Sequence, residues 1–539
     1  MVYLKMNSRL TPQLAASSTA ARPIHSILPI EVLHLICGHL PNSDIKNLRL
    51  TSSFFATAAR LDFRRVFLSA NPRNIEVFLA VANHSVFRTQ VIEIIYDDAL
   101  LPATDTLWHG GMWLGPTQPL EEQCTKGLPP RWIRQACRND LKALVEASDD
   151  ERGEFLGDYL TANMTWQKLR TYHWEMTLPY YFQLLRDQQT VLDDRSYVEA
   201  LHFGLAQFPA LQKITVTAAT HGRLFNPLYN TPMIRQFPRL FQYPIPHGWL
   251  RHCEEVDTHH DWAASSEGWY GFCAIIEALS KNLDGGRVTE LSIDAHLENS
   301  GIDVSFFKTE TKIFQHFKTL LARKDFTSLK LDLSGLSLNL DDPGHSDRWD
   351  HMSNGLLRRA LSGAQDLRHL SLSTSEGCMP GYGTHSPVTT ETLRSMIPKS
   401  CSARLQHFAL WCFWVEEDDL VAFLRELPEE LETLELSYLN FSQGSYRGTL
   451  EQIRDTMGWQ NRERKIQLKV SIHGVETSIA PVYGKSICID EEVRAFIYES
   501  GENPFSGKEP KPNAIFRNLL EDGVGEITNA FDSKIPPFD

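Results

Sequence analysis

The sequence predicts an α/β protein, in which a small all-α module precedes a long series of helix–strand units with parallel strands inside and helices outside. Two observations predict this class. Residues 28–55 carry three short apolar helical patterns, and the chain beyond them repeats one strand pattern seven times. A chain of 539 residues also exceeds the size at which a single hydrophobic core stops growing. We therefore expect a small unit and a large one.

The helical module begins close to Pro29, a residue that suits the first turn of a helix. Its apolar residues recur at helical spacing until Pro41 ends the first helix. Asparagine, serine and threonine side chains near residues 42 and 51 can cap a second and a third helix. Helices of about ten residues are marginal in isolation, and roughly 40 residues rarely form a self-sufficient core. We therefore expect the module to complete itself by docking on another polypeptide.

The module resembles the F-box, the motif that docks a protein onto the Skp-type adaptor of SCF ubiquitin ligases. The matching positions are Leu28-Pro29-x-Glu31, Leu33, Ile36, Leu40-Pro41, Asp44-Ile45, Leu48-x-Leu50-Thr51-Ser52 and Phe55. The resemblance implies that apolar side chains bind the adaptor, and the predicted contact residues are Leu28, Pro29, Leu33, Ile36, Leu40, Ile45, Leu48, Leu50 and Phe55.

The resemblance also implies a function. The chain would be the substrate-recognition subunit of an SCF-type E3 ubiquitin ligase, with the Skp-type adaptor, a cullin reached through it and a protein target as partners. It would not be an enzyme itself, because other subunits transfer ubiquitin. Three alternatives remain: the module is the N-terminal part of a larger core, the chain is a repeat scaffold without ligase function, or the inserted regions contain an enzyme.

Seven copies of the pattern apolar-x-x-apolar-x-apolar follow the module. The alternation at the end of each copy predicts a strand with one buried face. Helical patterns precede most copies, so each unit is expected to run helix, short turn, strand. The copies are Val91/Ile94/Tyr96, Leu211/Ile214/Val216, Val288/Leu291/Ile293, Phe326/Leu329/Leu331, Leu367/Leu370/Leu372, Leu405/Phe408/Leu410 and Leu431/Leu434/Leu436.

This arrangement resembles leucine-rich repeats with irregular spacing and implies a solenoid whose neighbouring units share one core. The asparagine that the family carries after each strand is absent, so the turn there must satisfy its backbone groups in another way. Glycine- and proline-rich stretches interrupt the period and suggest insertions. The expected organisation is a disordered leader at 1–24, the F-box at 25–68, the irregular leucine-rich-repeat-like domain at 69–476 with insertions at 108–179 and 225–269, and a capping tail at 477–539.

Composition restricts the possible partners and compartments. A formal net charge of −14 argues against nucleic acid as the main partner. Nine scattered cysteines without a CxxC pair indicate reduced thiols and a cytoplasmic or nuclear protein. The longest nearly uncharged apolar stretch, residues 405–415, is shorter than the roughly 18 to 20 residues that span a membrane. We therefore expect no membrane partner.

Two groups of residues are candidate sites. Imidazole, thiol and carboxylate groups crowd residues 247–261, but their spacing matches no common zinc cage, so we predict no metal, no cofactor and no catalytic residues. Trp411, Phe413 and Tyr438 lie at the ends of two predicted strands. Because strand side chains alternate, Trp411 and Phe413 are expected on the concave face, where aromatic rings would anchor a target. The alternative is that loops or the tail cover these rings as ordinary core.

Overall fold

The chain divides between Asp62 and Phe63 into two compact units. The computed structural model describes residues 29–40, 42–103, 120–124, 128–146, 174–246, 248–249, 269–281, 287–296, 300–334, 352, 354–374, 393–473, 485–505 and 524–529.

The first unit contains three short helices, α1 (Ile30–Cys37), α2 (Asn42–Thr51) and α3 (Ser53–Ala58). The Ser52 hydroxyl caps α3 by accepting the backbone N–H of Phe55 at 3.3 Å. The Asn42 side chain joins the start of α2 to Asp62 by two hydrogen bonds. Its amide nitrogen donates to the backbone carbonyl of Asp62, and its oxygen accepts the backbone N–H of Asp62. A small core lies between the helices and consists of Leu33, Cys37, Ile45, Ala58 and Ala59.

The second unit is built on strands. In the described part of the chain these are β1 Arg65–Ser69, β2 Glu93–Asp97, β3 Lys213–Thr217, β4 Glu290–Ile293, β5 Ile302–Asp303, β6 Ser328–Ser334, β7 His369–Thr374, β8 His407–Trp411, β9 Trp414–Glu416, β10 Thr433–Ser437, β11 Asn440–Gln443, β12 Gln467–Lys469, β13 Ser471–His473, β14 Lys485–Cys488 and β15 Glu526–Asn529.

The strands form one large sheet and two small ones. The large sheet has the order β1-β2-β3-β4-β6-β7-β8-β10-β12 with β5 beside β6, so strand order in space follows the chain. Every neighbouring pair in it is parallel. The pair β9–β11 is also parallel, whereas β13, β14 and β15 are antiparallel. The predicted α/β class with parallel pairing is confirmed.

Helices connect the strands of the large sheet. Hydrogen-bonding side chains start several of them, as when Asn71 accepts the N–H of Arg73 and Thr311 that of Phe314. The helices are α4 Pro72–Asn83, α5 Leu120–Gln123, α6 Arg131–Glu146, α7 Trp174–Asp194, α8 Ser196–Gln207, α9 Tyr270–Lys281, α10 Lys312–Leu321, α11 Leu356–Ser362, α12 Leu393–Met396, α13 Lys399–Ser402, α14 Glu417–Leu424, α15 Tyr446–Thr456 and α16 Asp490–Tyr498. None of the helices in the described residues is both long and apolar enough to cross a membrane.

One face of the large sheet is apolar and joins these helices in a single core. In β8, Phe408 and Leu410 are fully buried on this face, and the corresponding residues of β10 are Leu434 and Leu436. Helices of successive units pack side by side, for example α4 with α8, α9 with α10, and α14 with α15. A second core joins the regions predicted as insertions, since Trp132 of α6, Tyr181 of α7 and Phe241 belong to the same cluster.

Backbone hydrogen bonds tie each strand to the preceding one just before the strand begins. The N–H of Gln212 donates to the carbonyl of Ile92, the N–H of Thr289 to Gln212, and the N–H of Thr327 to Thr289, at 2.8 to 2.9 Å. The same bond continues through the remaining strands to Gln467, which donates to Glu432. This series of bonds, which we call the backbone ladder, runs across the whole sheet.

Side chains satisfy the backbone where several strands end. Asp97, Thr217 and Asp294 occupy one register position at the ends of β2, β3 and β4, and each accepts the N–H two residues further along the chain. The distances are 2.9 to 3.1 Å. These local turns satisfy backbone N–H groups where the strands end.

Seven strands of the large sheet coincide with the predicted repeats, and the sheet has three more. The seven copies are β2, β3, β4, β6, β7, β8 and β10. The additional strands are β1, β5 and β12, and β1 begins at Arg65, within the range 25–68 that the sequence assigns to the helical module. Phe63, Val66 and Leu68 have the same apolar spacing as the seven copies, so this strand could also have been predicted from the sequence.

Candidate interaction surfaces

The helical module exposes an unusual number of large apolar side chains. The exposed apolar set consists of Ile30, Val32, Leu35, Ile36 and Leu50, and Leu50 and Leu35 are the most open at 85% and 68% exposed. Five such residues within 21 positions form a concentration that soluble surfaces rarely carry without a binding partner.

The periodicity of α1 and α2 explains this exposure. Leu33 and Cys37 are four residues apart and face the core, which places Val32 and Ile36 together on another side of α1. In α2, Ile45 is fully buried and Leu50 lies on the opposite side of the helix. Short helices that are apolar on more than one side cannot bury every apolar residue in so small a unit.

The nine predicted adaptor contacts fall into four groups. Leu28 lies outside the described residues. Pro29, Ile36 and Leu50 are exposed, whereas Leu40, Leu48 and Phe55 are half-buried against the core of the module. Leu33 and Ile45 are only 5% and 0% exposed, so they hold the module together and are not available to touch a partner.

The other side of the large sheet, which we call the polar face, carries the residues that alternate with the core positions. At its β1–β3 end, Glu93 bridges the guanidinium of Arg65 at 2.9 Å and the ammonium of Lys213 at 3.1 Å. The same carboxylate accepts the Thr215 hydroxyl at 2.7 Å. Burial raises the pKa of Glu93, but Lys213, Thr215 and Arg65 together outweigh it and hold that pKa below its ordinary value.

Charged residues continue across the middle of the polar face. The Lys330 ammonium lies 2.5 Å from the Asp294 carboxylate. Asp332 accepts the N–H of Ala295 at 2.6 Å and also the hydroxyl of Ser373. Burial raises the pKa of Asp332, and burial also opposes charge on Lys330, but the neighbouring carboxylates keep the pKa of Lys330 raised. The region is therefore a paired ionic network rather than one uniform patch of charge.

Two histidines lie side by side on β7 and β8. His369 and His407 are direct partners in the register, and their ring centroids are 6.0 Å apart. His369 is exposed and His407 half-buried. Burial, with His369 and then Lys469 nearby, lowers the pKa of His407 to about 4, so its ring is neutral at neutral pH.

The predicted aromatic anchors do not share one surface. Trp411 is half-buried and contacts the ring of Tyr438, whose centroid is 5.8 Å away. Phe413 is 4% exposed and belongs to the main core, so its prediction as a surface anchor is wrong. The cause is Cys412, where a φ of 58° ends the strand and breaks the alternation of side chains. Tyr438 also has a positive φ and is only 5% exposed. Of the three predicted anchors, Trp411 is therefore the ring that solvent can reach.

Cys412 itself is disulfide-bonded. This bond corrects the expectation that the cysteines are all reduced thiols. Among the described cysteines, the free ones are Cys37, Cys124, Cys137, Cys273, Cys401 and Cys488.

A pair of buried carboxylates lies at the end of β2. Asp97 and Asp98 are 2% and 3% exposed. Asp98 accepts three hydrogen bonds, from the indole N–H of Trp249 at 3.0 Å and from the N–H groups of Gly271 and Phe272 at the start of α9. Burial raises the pKa of Asp98 to about 6 and that of Asp97 to about 7.

The sequence could have indicated the polar face. The positions between the apolar residues of each copy hold Glu93, Lys213, Lys330, His369 and His407, and strand alternation places them all on one side. The metal candidates at 247–261 lie, apart from Gly248 and Trp249, outside the described residues. Within the described residues, no three His, Cys, Asp or Glu side chains are grouped so that they could hold a metal ion.

No protein-family model matches the chain, and no curated protein matches it in sequence.

Proposed function

We propose that this chain is a substrate receptor of an SCF-type ubiquitin ligase, in which the helical module binds a Skp-type adaptor and the second unit binds a protein target. The observation that carries the proposal is the exposed apolar set on a small separate unit. Burying one leucine-sized side chain contributes about 1.5 to 3 kcal/mol. Covering several of these five residues would therefore supply the binding energy of a stable complex.

We further propose that the second unit is an irregular leucine-rich-repeat-like solenoid. Strand order that follows the chain, entirely parallel pairing and helices of successive units side by side all support this architecture. The half-buried Trp411 and the polar face would then bind the target, because strand side chains there are not used by the core. Specificity would come from the arrangement of charges and hydrogen-bonding groups on this face.

The proposed role involves no chemical step by the chain's own residues. A receptor of this kind holds a target close to a ubiquitin-carrying enzyme and so raises the effective concentration of the two reacting groups. Its contribution is therefore set by how firmly it holds each partner. Both surfaces must be engaged at once for the target to be modified.

The test is capture of a purified Skp-type adaptor by the full chain and by two matched variants. L50D places a charge on the most exposed residue of the set, while V86D makes the same kind of change at a 51% exposed valine of the second unit. Because an aspartate in a dry interface loses the leucine contact and is itself desolvated, we expect L50D to weaken capture at least about tenfold. V86D should capture the adaptor like the wild type.

Failure of the wild-type chain to bind the adaptor, or equal binding by L50D and the wild type, would remove the proposal. Circular dichroism of L50D should match the wild type, since an 85% exposed side chain contributes little to the core. If the adaptor binds but no cullin joins the complex, the chain is a scaffold without ligase function.

A further inference from the structure

The histidine pair of β7 and β8 has a geometry that the function proposed above does not use. His369 and His407 occupy the same register position on adjacent parallel strands, so both side chains leave the sheet on the polar face. Side chains directly opposite each other on neighbouring strands have Cβ atoms about 4.5 to 5.5 Å apart, close enough to share a ligand.

The ring separation is close to that of two imidazoles on one metal ion. With metal–nitrogen bonds of about 2.0 to 2.1 Å and tetrahedral angles, two ring centroids would lie roughly 5.2 Å apart. The centroids of His369 and His407 are 6.0 Å apart. A small side-chain rotation would close this difference, and the exposed His369 has the freedom to make it.

We propose that His369 and His407 together bind a zinc ion on the polar face of the sheet. Imidazole nitrogen is a preferred ligand of zinc, and the sheet register fixes the backbone positions of the two histidines relative to each other. The described residues offer no third imidazole, thiol or carboxylate grouped with the pair, so water would fill the remaining positions. The site would therefore be an open one, with positions that a further ligand can reach.

Charge near the pair limits the affinity of the site. Lys469 raises the positive potential around His407, which opposes a cation. Lys469 is itself the register partner of Glu435, and its charge also acts on Asp490, so part of it is balanced. We therefore expect moderate affinity that rises when Lys469 is neutralised.

The experiment is calorimetric titration of Zn²⁺ into the metal-free full chain and into H369N, H407N and the control H202N. His202 is exposed on α8, away from the pair in sequence, and its replacement tests the loss of one surface histidine. The wild type and H202N should bind one more equivalent of Zn²⁺ than either H369N or H407N. All variants keep residues 247–261, so any zinc held there is common to every titration and cancels in the comparison.

Equal zinc stoichiometry and affinity in the wild type, H369N and H407N would overturn the proposal. So would stabilisation by inorganic phosphate that is lost in H369N while Zn²⁺ has no effect, because the pair would then be an anion site. Should H407N fold poorly, the exposed H369N decides the question, with thermal unfolding in the presence and absence of Zn²⁺ as a second measurement.

Discussion

The adjacent carboxylates Asp97 and Asp98 should respond differently to replacement by asparagine. Asp97 is 2% exposed and uses one oxygen to accept the N–H of Ala99, while its Oδ2 makes no hydrogen bond of normal geometry and has the Thr220 hydroxyl as its neighbour. Burial raises its pKa from the ordinary value of 3.8 to about 7. An asparagine of the same shape removes the buried charge and keeps the oxygen that Ala99 needs.

The sign of the pH dependence follows from the raised pKa. The native state holds the Asp97 proton up to about pH 7, whereas the unfolded chain releases it near 3.8, so the wild type is penalised increasingly between these values. The full penalty corresponds to about 4 kcal/mol, taking about 1.4 kcal/mol for each pH unit between the two pKa values. D97N should therefore be more stable than the wild type by up to about 4 kcal/mol at pH 8 and nearly equal to it at pH 4.

Asp98 provides the control. Both of its oxygens accept N–H groups, and Oδ2 alone accepts from Trp249 and Phe272. An amide nitrogen at either position would face a donor, and a buried donor without an acceptor costs about 1 to 3 kcal/mol. D98N should therefore show no net gain at pH 8, even though it too removes a buried charge.

Urea unfolding followed by tryptophan fluorescence at pH 4, 6 and 8 measures both variants. All twelve tryptophans lie after residue 107, so the signal reports the second unit and not the helical module. Equal pH dependence in D97N and the wild type between pH 5 and 8 would refute the reasoning, because the buried charge would then not be the source of the penalty.

Two further substitutions test packing and charge in the same unit. G271A should destabilise the protein by about 1 to 3 kcal/mol or more, because the added Cβ would lie 2.0 Å from the fully buried ring of Tyr96. G355A has open space around the added Cβ and should cost about 1 kcal/mol, because Gly355 has a φ of +77°. Chemical denaturation that ranks the two variants in the reverse order would contradict this packing. E93Q should cost about 1 kcal/mol at pH 7, discounted for the partial exposure of Arg65 and Lys213. Because the pKa of Glu93 is lowered in the native state, its stabilisation is fully present above its ordinary pKa of 4.5 and is lost as the pH falls through the lowered value, so the difference between wild type and E93Q should shrink in acid.

The sequence predicts the sheet well because the signal is local. Three apolar positions, such as Leu405, Phe408 and Leu410, are enough to specify a strand and its buried face. The last strand of the large sheet, β12, does not match the pattern, because Lys465 occupies the position where the other copies have their first apolar residue. One polar residue is enough to prevent the prediction of this strand.

The sites are harder to predict, since they depend on backbone conformation and distant contacts. Nothing in the sequence marks Cys412 as the position where φ becomes positive and sends Phe413 into the core. The partners of Asp98 are 151 to 174 residues away along the chain, so no spacing rule connects them. In the helical module, the sequence indicates which residues are apolar, but only the packed helices separate buried Leu33 from exposed Leu50.

The backbone ladder joins the neighbouring units of the large sheet through main-chain groups. Each rung joins a main-chain N–H to the carbonyl of the strand before it, so the rung itself does not depend on which side chain stands there. Duplication or loss of a whole unit during evolution would therefore leave complementary groups at the cut ends, ready to rejoin.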